Sequence, residues 1–446
     1  MRWILDNGRR ALLVGVLAWS AMCQAQDASQ TEPQEEPQNH LTIDANLMAR
    51  GELRYGGFPL AVENNVDHAQ FVMERTRLSL GYERSILEMK ITAQHSGVWG
   101  QEGKGAFNLS EAWAKLQARN GLFTIVGRQE LSYDDERILG RNDWAMAANA
   151  HDALKLGYEG HGHKAHVILA FNQRSWNVYG GTTYTTSSGS QVYRNMVSGW
   201  YHYDFKRIPL GASLLFMDMG LQNDQEEDPK VEHQQLIGGF VKFSPRLWNV
   251  EAAYYRQMGT DEFHIPIEAW MTSVKADCVP TWQWRVTGGY DYLSGDPNPT
   301  VPQIGILGLS RHTKVHGFST IYGSHHKFYG AMDFFYVSAY YGGYTPGLQN
   351  LYGGASFRPI PSVDCSAMYH FLMTAERING ASRTLGHELE FTASYTPVKF
   401  VKISAGYTYM HGSSTLQRLQ RLENKKHMHW AWLMLTVNPR ILNFKW

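Results

Sequence analysis

Arginine is the residue type in this sequence whose placement most clearly indicates a chemical role. A guanidinium group is always charged, is less tightly hydrated than an ammonium group and binds a carboxylate through two parallel hydrogen bonds. The placement of these arginines therefore predicts a surface that binds anionic groups without making or breaking a bond. The arginines fall on the polar side of alternating segments, at Arg50, Arg54, Arg75, Arg77, Arg128 and Arg285.

Carboxylates accompany these arginines. Glu130 shares the polar side of its segment with Arg128, and the charged loop that follows carries Asp134, Asp135 and Arg137. Carboxylates beside fixed positive charge would keep a polyanion from binding too tightly to leave. In the plainer alternative, the loop carboxylates only face solvent, and the arginines only neutralise acidic neighbours. Those neighbours are Glu52, Glu111, Glu130 and Asp291.

The elements that must position these residues are strands with one apolar and one polar face. The segment 41–55 alternates strictly, with Leu47 and Leu53 on one side and Arg50 and Arg54 on the other. Its length exceeds that of a usual globular strand and suits a tilted membrane strand. An arginine facing lipid at mid-membrane costs about 2–4 kcal/mol. The arginine faces are therefore predicted to line an aqueous lumen, and the apolar faces to meet lipid.

The strand that contains Arg128 receives the same interpretation. In 122–132, Phe123 and Ile125 are predicted to face lipid, whereas Arg128 and Glu130 are predicted to face the lumen. Asn120-Gly121, directly before it, is a pair preferred in two-residue type I′ hairpin turns, because both residues must adopt positive φ.

Similar segments follow, and the gaps between them alternate between short and long. Short turns on one side and long loops on the other are typical of bacterial outer-membrane barrels. The sequence therefore predicts an all-β fold, an antiparallel transmembrane β-barrel of about 18 strands over 41–446. A strand-like run at 326–338 is assigned to a long external insertion, 293–346, because an odd strand number would leave the C-terminus outside. The final residues beyond Pro439 are either the end of the last strand or a short tail.

The ends and the composition agree with this prediction. Residues 1–25 combine arginines with an apolar run and a small-residue cleavage site, which predicts a secretory signal peptide; lipidation of Cys23 is the alternative. Residues 26–40 are polar and acidic and are predicted to be a disordered leader. Formal net charge is zero, so nucleic acid is not expected as a partner. The 14 Trp and 24 Tyr suit the aromatic girdles of a membrane barrel.

No residue pattern supports a cofactor, a metal site or a catalytic site. His161, His163 and His166 fall at a predicted turn without a cysteine or carboxylate at ligand spacing. Cys278 and Cys365 are predicted to be unpaired thiols. Two alternatives to a channel remain: a barrel hydrolase, for which Ser382 and His387 lie near one rim without a Gly-x-Ser-x-Gly motif, and a closed structural or adhesive barrel.

Several short blocks of sequence form a recognisable set through their order and spacing. They are Arg75–Tyr82, Glu111–Trp113, Gly127–Gln129, Asp134–Arg137, Tyr290–Asp296, His326–Phe335 and Leu385–Glu390. With these blocks, the chain resembles the alginate-export family of outer-membrane porins across nearly all of the sequence that follows the predicted signal peptide. The resemblance implies an 18-stranded monomeric barrel, loops folded into the lumen and an arginine-rich constriction for an anionic polysaccharide. Carried over by position, it identifies Arg75, Arg77 and Arg128 as lumen arginines.

The function predicted from these observations is that of a channel. The chain is expected to be a monomeric porin in the bacterial outer membrane, surrounded by lipid, that passes anionic solutes such as acidic oligo- or polysaccharides. It has no cofactor and is not an enzyme. The loops 133–151 and 293–346 are predicted to set the constriction, and the arginines to steer the solute.

Overall fold

A single closed sheet forms the body of the protein. The computed structural model describes residues 38–56, 68–100, 105–172, 193–222, 230–296, 314–334, 345–378, 380–420 and 426–446. Successive strands pair antiparallel, except that the last two do not pair with each other. Both of these pair with the first strand, which closes a barrel. The predicted signal peptide and nearly all of the predicted leader lie outside the described residues.

The described strands follow the chain in order. They are β1 His40–Tyr55, β2 Ala69–Arg84, β3 Leu87–Val98, β4 Ala106–Gln117, β5 Leu122–Gln129, β6 His151–Gly160, β7 His163–Phe171, β8 Asn195–Asp204, β9 Leu210–Leu221, β10 Glu232–Phe243, β11 Trp248–Thr260, β12 Pro266–Cys278, β13 Trp284–Leu293, β14 Leu348–Ile360, β15 Val363–Met373, β16 Thr384–Val398, β17 Val401–Gly412, β18 His427–Val437 and β19 Arg440–Lys445. A short helix, α1 Ser414–Gln420, and a 3-10 turn, His325–Lys327, complete the described elements.

The barrel has 18 wall positions, because β18 and β19 share the last one. Residues 47–55 of β1 pair with β18, and residues 40–44 pair with β19. Pro439 separates the two segments because it has no N–H to donate, although its carbonyl still accepts a bond from the N–H of Ala45 at 3.1 Å. Of the two alternatives for the final residues, the strand is therefore the one observed.

The two faces of the wall differ as predicted in β1 and β2. Leu53 of β1 and Leu78 of β2 are more than half exposed on the outside, whereas Arg50 and Arg75 are 3% and 2% exposed inside. Long loops join strands at one end and short turns at the other. Exposed aromatic side chains such as Trp99 lie at the first end, and others such as Trp284 at the second. None of the described helices is long and apolar enough to cross a membrane.

Strand β5 has the opposite orientation from the one predicted. Phe123 and Ile125 are 5% and 9% exposed and face inward, whereas Val126, on the other face, is 56% exposed. Arg128 shares the outward face with Val126, since its register partner Ala112 lies opposite the outward Ile91. The prediction that Arg128 lines the lumen is therefore wrong. The reason is that the barrel interior beside β5 is filled by apolar groups rather than by water.

The turn before β5 also differs from the prediction. Of its three loop residues, only Gly121 has a positive φ, at +90°. Ala118 pairs with Leu122 across the turn, its N–H donating to the Leu122 carbonyl at 2.8 Å, so the loop has three residues rather than two. A type I turn followed by a left-handed glycine is the usual geometry of such a loop.

Two inserted loops fill the lumen. The first covers 130–150, between β5 and β6, and the second is represented by its described part, 314–334. Leu139 of the first forms a parallel bridge with Tyr322 of the second, and both side chains are at most 3% exposed. The described part of the second loop contains no strand, and residues 335–338 of the strand-like run lie outside the described residues.

Candidate functional site

Two arginines of β1 share one carboxylate in the lumen. Glu52 accepts from Nε of Arg50 at 2.8 Å and from Nη2 of Arg54 at 2.6 Å. The alternation of β1 brings these three side chains to one face, because residues two apart point the same way. The cluster carries two positive charges against one negative charge, and the guanidinium groups are 4% and 13% exposed beside the wall.

A second pair of arginines, on β2, repeats this ratio. Arg75 and Arg77 both contact the carboxylate of Asp143 in the first inserted loop, at 3.1 and 2.8 Å. Arg77 also donates to Gln94 at 2.7 Å. Within the described residues, Nη2 of Arg77 and Nε of Arg75 have no hydrogen-bond partner. Four lumen arginines thus share two carboxylates, and donor capacity remains.

These arginines also hold the first inserted loop against the wall. Arg50 donates to the carbonyl of Trp144 at 3.0 Å and lies over its indole ring at 3.9 Å. Arg75 donates to the carbonyls of Asp143 and Ala145 at 2.9 and 3.1 Å. Bonds from a charged donor are stronger than neutral ones. Part of the arginine face therefore positions the loop.

Arg137 joins the two inserted loops to the opposite wall. Its side chain is 2% exposed and contacts Asp135 at 3.0 Å and Asp291 of β13 at 3.1 Å. It donates to the hydroxyl of Tyr329 at 3.0 Å and lies over the ring of Phe328 at 4.1 Å. Burial alone would lower its pKa, but the two carboxylates raise the pKa of Arg137 well above its usual value. The guanidinium therefore stays charged and holds the two inserted loops together.

The neighbouring acidic residues have different roles. Asp134 accepts from the indole N–H of Trp200 at 3.1 Å, and burial raises the pKa of this aspartate. Burial also raises the pKa of Glu130, and the nearby carboxylate of Glu111 raises it further. For Glu136, burial favours a higher pKa, but hydrogen bonds from Ser132 and ionic contacts with Lys327 and Arg141 lower it to about 2. These contacts therefore favour the ionised form of Glu136.

A cavity of about 490 Å³ lies between the inserted loops and the wall formed by β10 to β16. Register places Lys242, Glu251 and Lys275 side by side on β10, β11 and β12. Asp277 lies one row nearer the short turns and contacts Arg285 at 3.6 Å. A cavity of this volume is in the range of small-molecule binding sites. Its lining also includes Asp134, Asp135, Arg137, Asp291, Lys327, Tyr329 and Tyr352.

The cations of this wall are more accessible than its carboxylates. The side chains of Lys242, Lys275 and Arg285 are 51%, 34% and 50% exposed. By contrast, Glu251 and Asp277 are 16% and 1% exposed and also accept from neutral neighbours such as Asn249 and Thr287. A solute in the cavity would therefore meet mainly positive charge. We define Lys242, Lys275 and Arg285 as the vestibule cations.

The predicted site residues thus fall into three groups. Arg50, Arg54, Arg75 and Arg77 face the lumen from β1 and β2, with Glu130 near Arg77. Arg285, Asp134, Asp135 and Arg137 border the cavity. Arg128 lies outside, where it binds Asp152 at 2.7 and 2.9 Å. Lys242 and Lys275 were missed, although both lie on the polar face of a predicted strand.

The residues considered for other chemistry have structural partners. The His387 imidazole bonds to the Tyr369 hydroxyl at 2.7 Å, and Ser382 accepts from the N–H of Thr384. His166 lies between the Tyr133 hydroxyl and Glu159. Cys278 and Cys365 are free, as predicted. In the part of the chain that the structure describes, no group of His, Cys, Asp and Glu is arranged to hold a metal ion.

Comparisons with known proteins agree with the barrel. The model of a family described as "Alginate export" matches residues 15–379. No curated protein matches the chain.

Solved outer-membrane barrels have the same fold. OccK11 (OpdR) of Pseudomonas aeruginosa is 11% identical, with 93% of this chain and 100% of that chain covered and a TM-score of 0.60. A BenF-like porin from Pseudomonas fluorescens Pf-5 is also 11% identical, with 90% and 99% covered and a TM-score of 0.60. OccK9 (OpdG) of Pseudomonas aeruginosa is 12% identical, with 90% and 98% covered and a TM-score of 0.59.

Proposed function

Since the chain belongs to the alginate export family and folds as an outer-membrane channel barrel, we propose that its lumen conducts anionic solutes, in particular oligo- or polysaccharides that carry carboxylates. The observation that carries this proposal is the ratio of two to one between arginines and carboxylates in both lumen clusters, Arg50 and Arg54 with Glu52, and Arg75 and Arg77 with Asp143. The channel acts as a monomer, without a cofactor and without a catalytic step.

The two sets of cations lie on opposite sides of the lumen. Strands β1 and β10 are nine positions apart in an 18-position ring, so the arginines of β1 and β2 face the vestibule cations across the inserted loops. A solute that carries several carboxylates could therefore exchange one set of cationic partners for the other as it moves. Multiple weak sites permit passage, whereas one strong site would trap the solute.

Carboxylates near each cation keep the solute from remaining bound. Glu52 and Asp143 compete for the guanidinium groups on one side, and Glu251 and Asp277 compete for the vestibule cations on the other. The inserted loops narrow the path between the two sides. Transport is thus selective diffusion, and its direction follows the gradient of the solute.

Selectivity is expected to depend on Arg77 and not on Arg128. Removing the lumen charge in Arg77→Ala should lower the anion-to-cation permeability ratio about sevenfold. One charge roughly 7 Å from the path in a water-like dielectric changes the permeability of the anion and that of the cation about two- to threefold each, in opposite directions. Arg128→Ala is the matched control, because this arginine lies on the outer face. Reversal potentials in a salt gradient measure the permeability ratio of each variant. An unchanged ratio in Arg77→Ala would contradict the proposal.

Binding of solute is expected to depend on the vestibule cations. In Lys242→Ala/Lys275→Ala, the concentration of a short oligouronate that blocks half the current should rise about tenfold, because two charges are lost. Arg256→Ala, which removes an outward cation from β11 near Glu268, should leave the block unchanged. If the oligouronate blocked the double variant and wild type at the same concentration, the vestibule cations would not be part of the solute's path.

The same recordings separate the channel from the other two classes. A closed structural or adhesive barrel would conduct no ions in a planar bilayer. A barrel hydrolase would release products from the oligouronate, which chromatography of the incubated sample would detect. We expect conductance and an intact oligouronate.

A further inference from the structure

Histidine side chains form a cluster on the outer wall of the barrel. His387 of β16 lies opposite His411 of β17, and His411 lies opposite His427 of β18, so one row crosses three strands. His429 lies in the next row, opposite Tyr409. All four belong to the ends of their strands that join the long loops. We define these four residues as the histidine patch.

Tyrosines fix three of the four imidazole rings of the patch, and the fourth, that of His411, lies 5.0 Å from the His427 ring. The Tyr369 hydroxyl bonds to Nδ1 of His387 at 2.7 Å, and the Tyr409 hydroxyl bonds to Nδ1 of His427 at 2.6 Å. The Tyr407 hydroxyl likewise bonds to Nδ1 of His429 at 2.8 Å. When the phenol donates to Nδ1, the neutral ring carries its proton on Nε2. Nε2–H is then a donor held in a fixed direction.

The surrounding outer wall is apolar. The outward positions of β17 and β18, apart from the histidines, carry only Val, Ile, Ala, Leu and Tyr, and those of β16 carry no charged side chain. Leu389 and Leu433, nearer mid-wall, are 40% and 61% exposed. Acyl chains would lie against this band. The patch therefore occupies the level at which lipid headgroups begin.

A basic residue lies at the rim beside the patch. Lys426 directly precedes His427 in the chain and is exposed. The outward positions of β16, β17 and β18 carry no aspartate or glutamate that would repel an anion. Imidazole donors and a lysine together are complementary to a phosphate group.

We propose that the histidine patch, with Lys426, binds the phosphorylated headgroup of a lipid whose acyl chains lie on the apolar wall below it. A free phosphate ion would use only the donors, whereas this lipid would use the donors and the adjoining apolar band. The proposal does not depend on the proposed function, because the patch lies on the opposite side of the wall from the lumen.

The test measures lipid binding to the full-length barrel by native mass spectrometry in a nonionic detergent. The probes are bis-phosphorylated lipid A and the same lipid with both phosphates removed. Wild type should bind the phosphorylated form about tenfold more tightly, and His411→Gln/His427→Gln should reduce that preference to about twofold or less. Inorganic phosphate added in excess should not displace the lipid.

His163→Gln is the matched control. His163 forms the same type of pair, with the Tyr201 hydroxyl at 2.8 Å, but at the short-turn end of the barrel. The His163→Gln variant should retain the preference of wild type for the phosphorylated lipid. If the double variant fails to fold, as judged by heat-modifiable gel mobility, His387→Gln takes its place with a smaller expected loss. The proposal would be overturned if wild type bound the two lipids equally well or if phosphate alone displaced the lipid. It would also be overturned if His163→Gln lost as much of the preference for the phosphorylated lipid as the double variant.

Discussion

Replacing Arg137 with alanine is expected to free the inserted loops and to raise the conductance of the barrel several-fold. Arg137 is the buried cation between Asp135 of the first loop and Asp291 of the wall, and it also contacts Tyr329 of the second loop. Removing one partner of a buried ion pair leaves an uncompensated charge and costs about 3–5 kcal/mol. The barrel wall itself should stay closed, because its strand ladder does not involve this side chain.

Single-channel recording in planar bilayers measures the effect of Arg137→Ala, and we expect larger and noisier steps than in wild type. Arg141→Ala is the matched control from the same loop, since Arg141 is 56% exposed and binds only Glu136 in the described residues. An exposed pair contributes little. If both variants conduct like wild type, contacts other than those of Arg137 hold the inserted loops, and the role given to Arg137 is wrong.

Deletion of residues 440–446 is expected to prevent assembly of the barrel. The segment β19 pairs with residues 40–44 of β1, and the backbone of Trp446 exchanges two hydrogen bonds with Asn39. Without it, the N–H and C=O groups at the start of β1 would lose their partners on that side. Each unsatisfied backbone group in hydrocarbon costs several kcal/mol, and open sheet edges are not tolerated there.

Heat-modifiable mobility on a gel, after refolding into detergent, reports whether the truncated barrel closes. Arg440→Ala is the control for lost side-chain contacts, because it removes the ion pair with Asp44 at 2.8 Å but keeps the backbone ladder. We expect Arg440→Ala to assemble like wild type. A truncated chain that folds and conducts normally would show that β19 is dispensable.

Strand alternation allowed the wall to be predicted from the sequence. The predicted strand 232–243 coincides with β10, and 41–55 differs from β1 by one residue. This agreement has a physical cause, since a strand that separates lipid from a polar interior alternates apolar and polar residues with a period of two. The same alternation places Arg50 and Arg75 on the buried faces of their strands.

The orientation of β5 could not be predicted, because both of its faces are apolar. Leu122 and Val126 face outward, while Phe123 and Ile125 pack inside. The prediction assumed an aqueous lumen, in which the charged side of the strand must face inward. Near β5 the interior instead holds Leu131 of the first inserted loop, 1% exposed, and this apolar filling removes the constraint.

The contacts between the inserted loops also could not be predicted from the sequence pattern. Arg137 and Tyr329 are separated by 192 residues, and Arg137 contacts Asp291 across the lumen. Loop residues have no fixed period, so their partners depend on tertiary packing. Asp291 was recognised only as one of several acidic residues that could neutralise an arginine.

The central claim is that fixed positive charge makes the lumen selective for anions. The most direct test is the reversal potential of the purified wild-type barrel in a planar bilayer that separates concentrated from dilute KCl. A lumen with fixed positive charge should give a potential whose sign reports chloride as the more permeant ion. A potential of the opposite sign, or none, would contradict anion selectivity while leaving the barrel fold intact.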